Sequence, residues 1–149
     1  MDRESPRLGA ATLQTVGDLM HEPVVPVNWR ARFREVADRF LTNANNFLPV
    51  VDAKQRVVGI VALQDLKEYL GAEKVLLGVI AYDAMRPPPP CVTPNQRLLD
   101  VLPVVMSSEL RNIPVVNTFE ENRLVGALAR SEVLAIFSEA IAASRKAET

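Results

Sequence analysis

Few residues of this 149-residue chain are equipped for covalent or metal chemistry. One cysteine, Cys91, and one histidine, His21, fall short of the roughly four Cys and His ligands a zinc site uses, so a metal would have to be held by carboxylates. Cys91 stands beside Val92 at the start of a strand and reads as a small buried hydrophobe. His21, between Met20 and Glu22, lacks the nucleophile context of a Ser-His-Asp arrangement and reads as a solvated or capping imidazole. Neither a Gly-x-x-x-x-Gly-Lys loop nor a Gly-x-Gly-x-x-Gly turn occurs, and six glycines leave little material for one. No enzyme is expected from these residues, which leaves non-covalent binding.

Composition narrows the class of partner. With 48% hydrophobic and 23% charged residues the chain is an ordered globular unit, long enough to bury a core without disulfides. Seventeen basic and 18 acidic residues, for a net charge of −1, provide neither a footprint for nucleic acid nor a polybasic membrane anchor. No apolar run approaches the roughly 18 residues of a membrane span, and the first residues are polar where a signal peptide is apolar; a cytoplasmic location is expected.

The elements that must position any binding residues come as two copies. Val16-Gly17-Asp18-Leu19-Met20 recurs as Ala81-Tyr82-Asp83-Ala84-Met85, and Leu48-Pro49-Val50-Val51-Asp52 as Ile113-Pro114-Val115-Val116-Asn117, both at an offset of 65. Val57-Val58-Gly59-Ile60-Val61 recurs as Leu124-Val125-Gly126-Ala127-Leu128 at an offset of 67, so two residues enter the intervening turn.

Within each copy the periodicity predicts strand, helix, strand, strand, helix, an α/β (α+β) order. Phe33, Val36, Ala37, Phe40 and Leu41 make one stripe of a helix over 31–43, followed by a hairpin of 47–52 with 56–62 and a helix over 63–70. In the second copy a helix over 96–107 starts at Asn95 as N-cap and is expected to kink or break early at Pro103. A hairpin of 112–117 with 122–129 and a helix over 131–144 complete it. Residues 1–13 read as a loose arm, 14–80 as the first unit with its linker and 81–149 as the second, with Pro87 to Pro90 as a stiff spacer and Trp29 stapling the chain to the next helix.

This doubled β-α-β-β-α pattern resembles a tandem pair of CBS domains, named for cystathionine β-synthase and also called a Bateman module. The resemblance rests on Asp-Leu-Met at 18–20, Leu-Pro-Val-Val-Asp at 48–52 and Val-Val-Gly-Ile-Val-Ala-Leu-Gln-Asp-Leu at 57–66, each echoed in the second half, and covers about 16–144. It implies two repeats packed through their sheets about a pseudo-twofold axis, two clefts between them that take adenosine nucleotides or related ligands, and stacking of two modules into a homodimer.

By resemblance, each cleft combines a Gly-h-h-Thr/Ser-x-x-Asp segment of one repeat, where h is apolar, with the first strand and pre-proline segment of the other. One cleft would use Asp65 as acceptor for the ribose hydroxyls and Ile60 below the base, with Thr93, Leu110, Arg111 and Ile113 from the second repeat. The other would use Glu132 and Ala127 with Asn28, Asn45, Asn46 and Leu48, and is expected to bind less well because glutamate displaces its carboxylate by one methylene. Both copies depart from the pattern at the Thr/Ser position, occupied by Ala62 and Ala129, a loss of one hydroxyl worth roughly 0.5–1.5 kcal/mol toward a phosphate. Arg111 could compensate or be a plain surface cation, and Asp65 could equally stabilise the N-terminus of its own helix.

The implied ligands are AMP, ADP, ATP or S-adenosylmethionine, with no cofactor required and no nucleic acid as partner. Leu63-Gln64-Asp65-Leu66-Lys67-Glu68-Tyr69-Leu70 is similar to the equivalent helix of the CBS pairs that follow the membrane domain of CLC-type chloride channels and transporters, which implies an attached transport domain. The competing expectations are a free-standing CBS protein or a dimerisation module with empty clefts.

Overall fold

Each copy is organised around a hairpin whose register is the same in both. The computed structural model describes residues 13–69 and 78–148; the arm at 1–12 and the linker after Tyr69 lie outside the described residues. In chain order the first copy comprises α1 (Val16–Leu19), β1 (Val27–Asn28), α2 (Phe33–Leu41), β2 (Phe47–Val51), β3 (Val57–Ala62) and α3 (Leu63–Leu66). The second comprises α4 (Ala81–Ala84), α5 (Leu98–Ser107), β4 (Asn112–Val116), β5 (Leu124–Ala129) and α6 (Arg130–Glu148). The mixed α+β architecture is the one expected.

In β2 and β3, Leu48 faces Val61 and Val50 faces Gly59, with a bulge before Val51; in β4 and β5, Ile113 faces Leu128 and Val115 faces Gly126, with a bulge before Val116. β1 lies parallel to β2, and the equivalent contact in the second copy is a single parallel bridge from Val92 to Val115. The hairpin tips clasp each other. The Val57 N–H donates to Asn122 O and the Leu124 N–H to Gln55 O, both at 3.0 Å, with Gln55 and Asn122 in the left-handed region at φ 63° and 56°. Val51, Val57 and Val116 seal this junction.

The copies also exchange their leading segments. Thr15 bridges Arg97, and Ile80 bridges Arg32; the Val16 N–H donates to Gln96 O while the Ala81 N–H donates to Ala31 O. Val16 is therefore buried among Val92, Leu98, Val101 and Ile113, whereas Val79, Ala81 and Ala84 are buried among Val27, Phe33, Val36 and Phe40. Two hydrophobic cores result, each made of one copy plus the first turn of the other.

Three helices differ from expectation. Arg97, not Asn95, precedes α5 at the N-cap position, with no side-chain cap. Pro103 lies inside α5 without ending it: the proline forfeits one backbone bond, and Val101 and Val105, 1% and 0% exposed, anchor the turns on either side. α3 ends at Leu66 in a turn over 67–69, short of residue 70, which lies outside the described residues, while α6 runs on to Glu148.

Candidate functional site

The recurring Asp and Met of the leading segments do structural work that aims the residue after each Met. Asp18 Oδ2 accepts the Thr15 N–H and Asp83 Oδ2 accepts the Ile80 N–H, each at 3.0 Å, so both aspartates close the first turn of a short helix. The bonds from Thr15 hold the Asp18 carboxyl below the usual carboxylate range. Met85 then lies over Gly59, where an added Cβ would come within 2.5 Å of Met85 Sδ and 2.7 Å of Arg86 O. Met20 lies over Gly126 in the same way, with Sδ at 2.9 Å. Only glycine lets the two backbones approach this closely.

That approach turns the next residue into a strand partner. The Arg86 N–H donates to Ile60 O at 2.7 Å and the Ile60 N–H to Arg86 O at 3.1 Å; His21 and Ala127 exchange the same pair of bonds at 2.8 and 2.9 Å. The Arg86 side chain thereby meets the carboxylate in the first turn of α3, with Nε donating to Asp65 Oδ2 at 2.7 Å and Nη2 to Oδ1 at 2.9 Å. At the other end His21 Nε2 lies 2.7 Å from Glu132 Oε1. Residues 21 and 86, and residues 65 and 132, are separated by the two repeat offsets, so one hydrogen-bonded side-chain pair occurs twice and each time joins the two copies. The hydrogen bond from Arg86 holds the Asp65 carboxyl below its ordinary range, and that bond in turn raises the pKa of the guanidinium.

Beside the Asp65–Arg86 pair opens a cleft of about 230 Å³, floored by Phe47 and Ile60 and walled by Pro87, Pro89, Pro90 and Leu110, with Arg86 and Glu109 as its charged groups. The prolines expected as a spacer thus wall this cleft with rigid apolar rings. Beyond Leu110 the wall continues into an adjoining hollow lined by Asn45, Asn46, Glu109 and Arg111. There Asn112 Nδ2 donates to Asn45 Oδ1 at 3.0 Å and Arg111 Nη1 reaches Ala44 O at 3.4 Å.

The residues expected at the two clefts are therefore redistributed. Ile60 and Leu110 line the open cleft and Asp65 reaches it through Arg86, while Asn45 and Asn46, expected with Glu132, stand with Arg111 instead. Ile113 and Leu48 point into the cores at 0% exposure, because the pleat that brings them opposite Leu128 and Val61 turns them inward. Ala62 is buried, and Thr93 is buried with its N–H donating to Gln96 Oε1. Asn28 lines a separate shallow hollow with Trp29, Arg30 and Lys54, where its Oδ1 accepts the Arg30 N–H at 2.9 Å. Ala129, at the end of β5, pairs with Asn112. The hollow that reaches Ala127 holds only about 10 Å³ and is lined by Val24, Phe47 and Pro114 among others, without Glu132.

Arg86, Phe47, Glu109 and the prolines escaped the sequence reading. Arg86 had a signal: it comes after Asp83-Ala84-Met85 as His21 comes after Asp18-Leu19-Met20, so both repeats put a side chain with ring or guanidinium nitrogens at that place. Cys91 donates weakly to Pro89 O at 3.4 Å, and burial pushes its thiol up to about 11. Among the described residues no group of three His, Cys, Asp or Glu could hold a metal ion, and no helix is long and apolar enough to cross a membrane.

Comparison with known proteins agrees with this architecture. A CBS domain family model matches residues 16–72 and 80–139. A curated relative, the uncharacterized protein MJ1225 of Methanocaldococcus jannaschii, is 26% identical over 129 residues, which is 84% of this chain and 43% of that protein; the chain thus spans less than half of its length. Among solved structures, CBSX2 in complex with AMP superposes with a TM-score of 0.68 at 25% identity, covering 85% of this chain and 97% of that one. CBSX2 is a CBS-pair protein of Arabidopsis thaliana. The CBS domain of a bacterial CNNM/CorC family Mg2+ transporter in complex with ATP gives a TM-score of 0.72 at 18% identity, over 89% of this chain and 92% of that one. With two matched segments spread over most of its length and the doubled hairpin fold to go with them, the chain belongs to the CBS domain family, as a tandem pair of CBS domains.

Proposed function

We propose that this CBS pair is a cytoplasmic regulatory module whose cleft between Ile60, Arg86 and Leu110 binds an adenosine-containing small molecule. The observation that carries the reading is the coincidence, in one open cleft, of apolar walls suited to a base and the Asp65–Arg86 pair at the edge. A carboxylate offers about four lone-pair sites, of which Arg86 uses two, leaving Asp65 free to accept the adjacent hydroxyls of a ribose. The AMP complex of CBSX2 supports the choice of ligand class.

Phe47 and Ile60 come from the first copy and Glu109 and Leu110 from the second, so an occupant touches both and favours one arrangement of the repeats over another. A coupling of roughly 1–3 kcal/mol suffices for regulation when the ligand distinguishes the two arrangements. Isothermal titration calorimetry with adenosine, AMP, ADP, ATP and S-adenosylmethionine tests this. Saturable heat for at least one is expected, and no heat for any at millimolar concentration overturns the reading.

A second reading, assembly through a homodimer with empty clefts, is favoured by exposed apolar side chains on the helices, Leu41 and Met106 at 84% and 62% exposure, and by Ala62 and Ala129 in place of hydroxyls. Sedimentation equilibrium showing only monomer removes it. Attachment to a CLC-type transport domain rests on the similarity of residues 63–70 and of the ending after residue 130; a reading frame that extends through several hydrophobic spans before Met1 would support it.

A further inference from the structure

The Arg86 guanidinium is shared. Its Nε and Nη2 are committed to Asp65, and its remaining nitrogen, Nη1, faces Glu109 Oε2 at 4.0 Å. Glu109 is 77% exposed, unlike the half-enclosed Arg86 and Asp65, and its carboxylate is common to the cleft and to the adjoining hollow of Arg111. The position equivalent to Glu109 in the first copy is Ala44, which carries no charge, so this carboxylate belongs to one cleft alone.

We infer, resting on the proposed adenosine site, that Glu109 is a charge-selecting residue of the cleft, favouring adenosine and its monophosphate over the di- and triphosphates. One cation faces two carboxylates here, leaving the group of three with a net negative charge. A phosphate chain growing from the ribose toward Nη1 or Arg111 would run beside Glu109, which stands 4.0 Å from Nη1 and lines the same hollow as Arg111. Each added phosphate raises the repulsion, and an uncharged nucleoside feels none of it. The cleft's modest volume, about 230 Å³ against the roughly 300–1,000 Å³ of common ligand pockets, acts in the same direction.

The test measures dissociation constants for adenosine, AMP, ADP and ATP by calorimetry with the parent chain, Glu109→Gln and Glu109→Lys. Relative to adenosine, Glu109→Gln is expected to tighten the nucleotides progressively, by about threefold for each phosphate at low salt, with Glu109→Lys exceeding it for ATP. Raising the salt to 1 M should erase most of the difference. An equal shift for all four ligands, or none, overturns the charge-selecting role while leaving the adenosine site standing. Absence of heat for adenosine and every nucleotide with all three proteins overturns the adenosine site itself, and this inference with it.

Discussion

Arg86, at the end of the second copy's leading segment, grips both carboxylate oxygens of Asp65 in the first copy, at 2.7 and 2.9 Å. The pair is a seam between repeats as well as the edge of a cleft. Asp65→Ala is expected to weaken an adenosine ligand by at least several-fold, because the ribose loses its acceptor and Arg86 loses its fixed orientation. Glu132→Ala should matter less, since the glutamate carries its carboxylate one methylene farther out than Asp65 and its Oε1 already meets His21 Nε2 at 2.7 Å. Titration calorimetry on the two variants decides it: equal affinity for Asp65→Ala and the parent contradicts the assignment.

The same pair makes a pH dependence of stability predictable in sign. Asp65 titrates below its ordinary value when folded because Arg86 donates to it, so the unfolded chain takes up the proton first as pH falls. Its contribution is therefore complete above the usual unfolded carboxylate pKa, near 3.9, and is lost as pH drops through the lower folded value. Urea melts of the parent and Asp65→Asn should differ at pH 7 and converge toward pH 3. A difference that grows on acidification would refute the sign.

Gly59 is one of the places where the two copies touch at backbone distance. Gly59→Ala would drive a Cβ to 2.5 Å from Met85 Sδ and, less forgivingly, 2.7 Å from Arg86 O, so the Ile60–Arg86 bridge must part. Such overpacking costs about 1–3 kcal/mol. Gly78→Ala is the control, because nothing lies within 4 Å of its added Cβ. Chemical denaturation should place Gly59→Ala well below the parent and Gly78→Ala beside it; equal midpoints would mean that the leading segment does not sit on Gly59.

The hairpins and the doubling were legible because a buried strand writes its pattern locally: Leu48, Val50 and Val61 are apolar where the pleat demands it, and the second copy says the same with Ile113, Val115 and Leu128. What was not legible is which copy each leading segment serves. Val16 and Ala81 look alike, and nothing in their own neighbourhoods reveals that each packs in the other copy's core. That exchange brings Arg86 to Asp65 and the prolines to Phe47, so the cleft's composition could not be read by pairing motifs along the chain. Pro103 failed as a helix breaker for a related reason: local propensity predicts the break, but the buried Val101 and Val105 outweigh one lost backbone bond.

Cys91 probes the junction between the copies without any ligand. Its side chain packs against the cluster of Val51, Val57 and Val116, and desolvation pushes the thiol up to about 11. Thiol reagents attack the thiolate, so at neutral pH the folded chain should react about a hundredfold or more slowly than an exposed cysteine of pKa near 8.5. Since Val57 and its neighbours hold the two hairpin tips together, a change that loosens the tips should release the thiol. Asn122→Ala removes the side-chain donor that reaches Val57 O at 2.6 Å and is expected to accelerate labelling at Cys91 by several-fold without unfolding the chain. Labelling of the native protein at the rate of a free cysteine would place Cys91 outside this junction. An Asn122→Ala rate equal to that of the parent would instead show that the tips hold together without that bond.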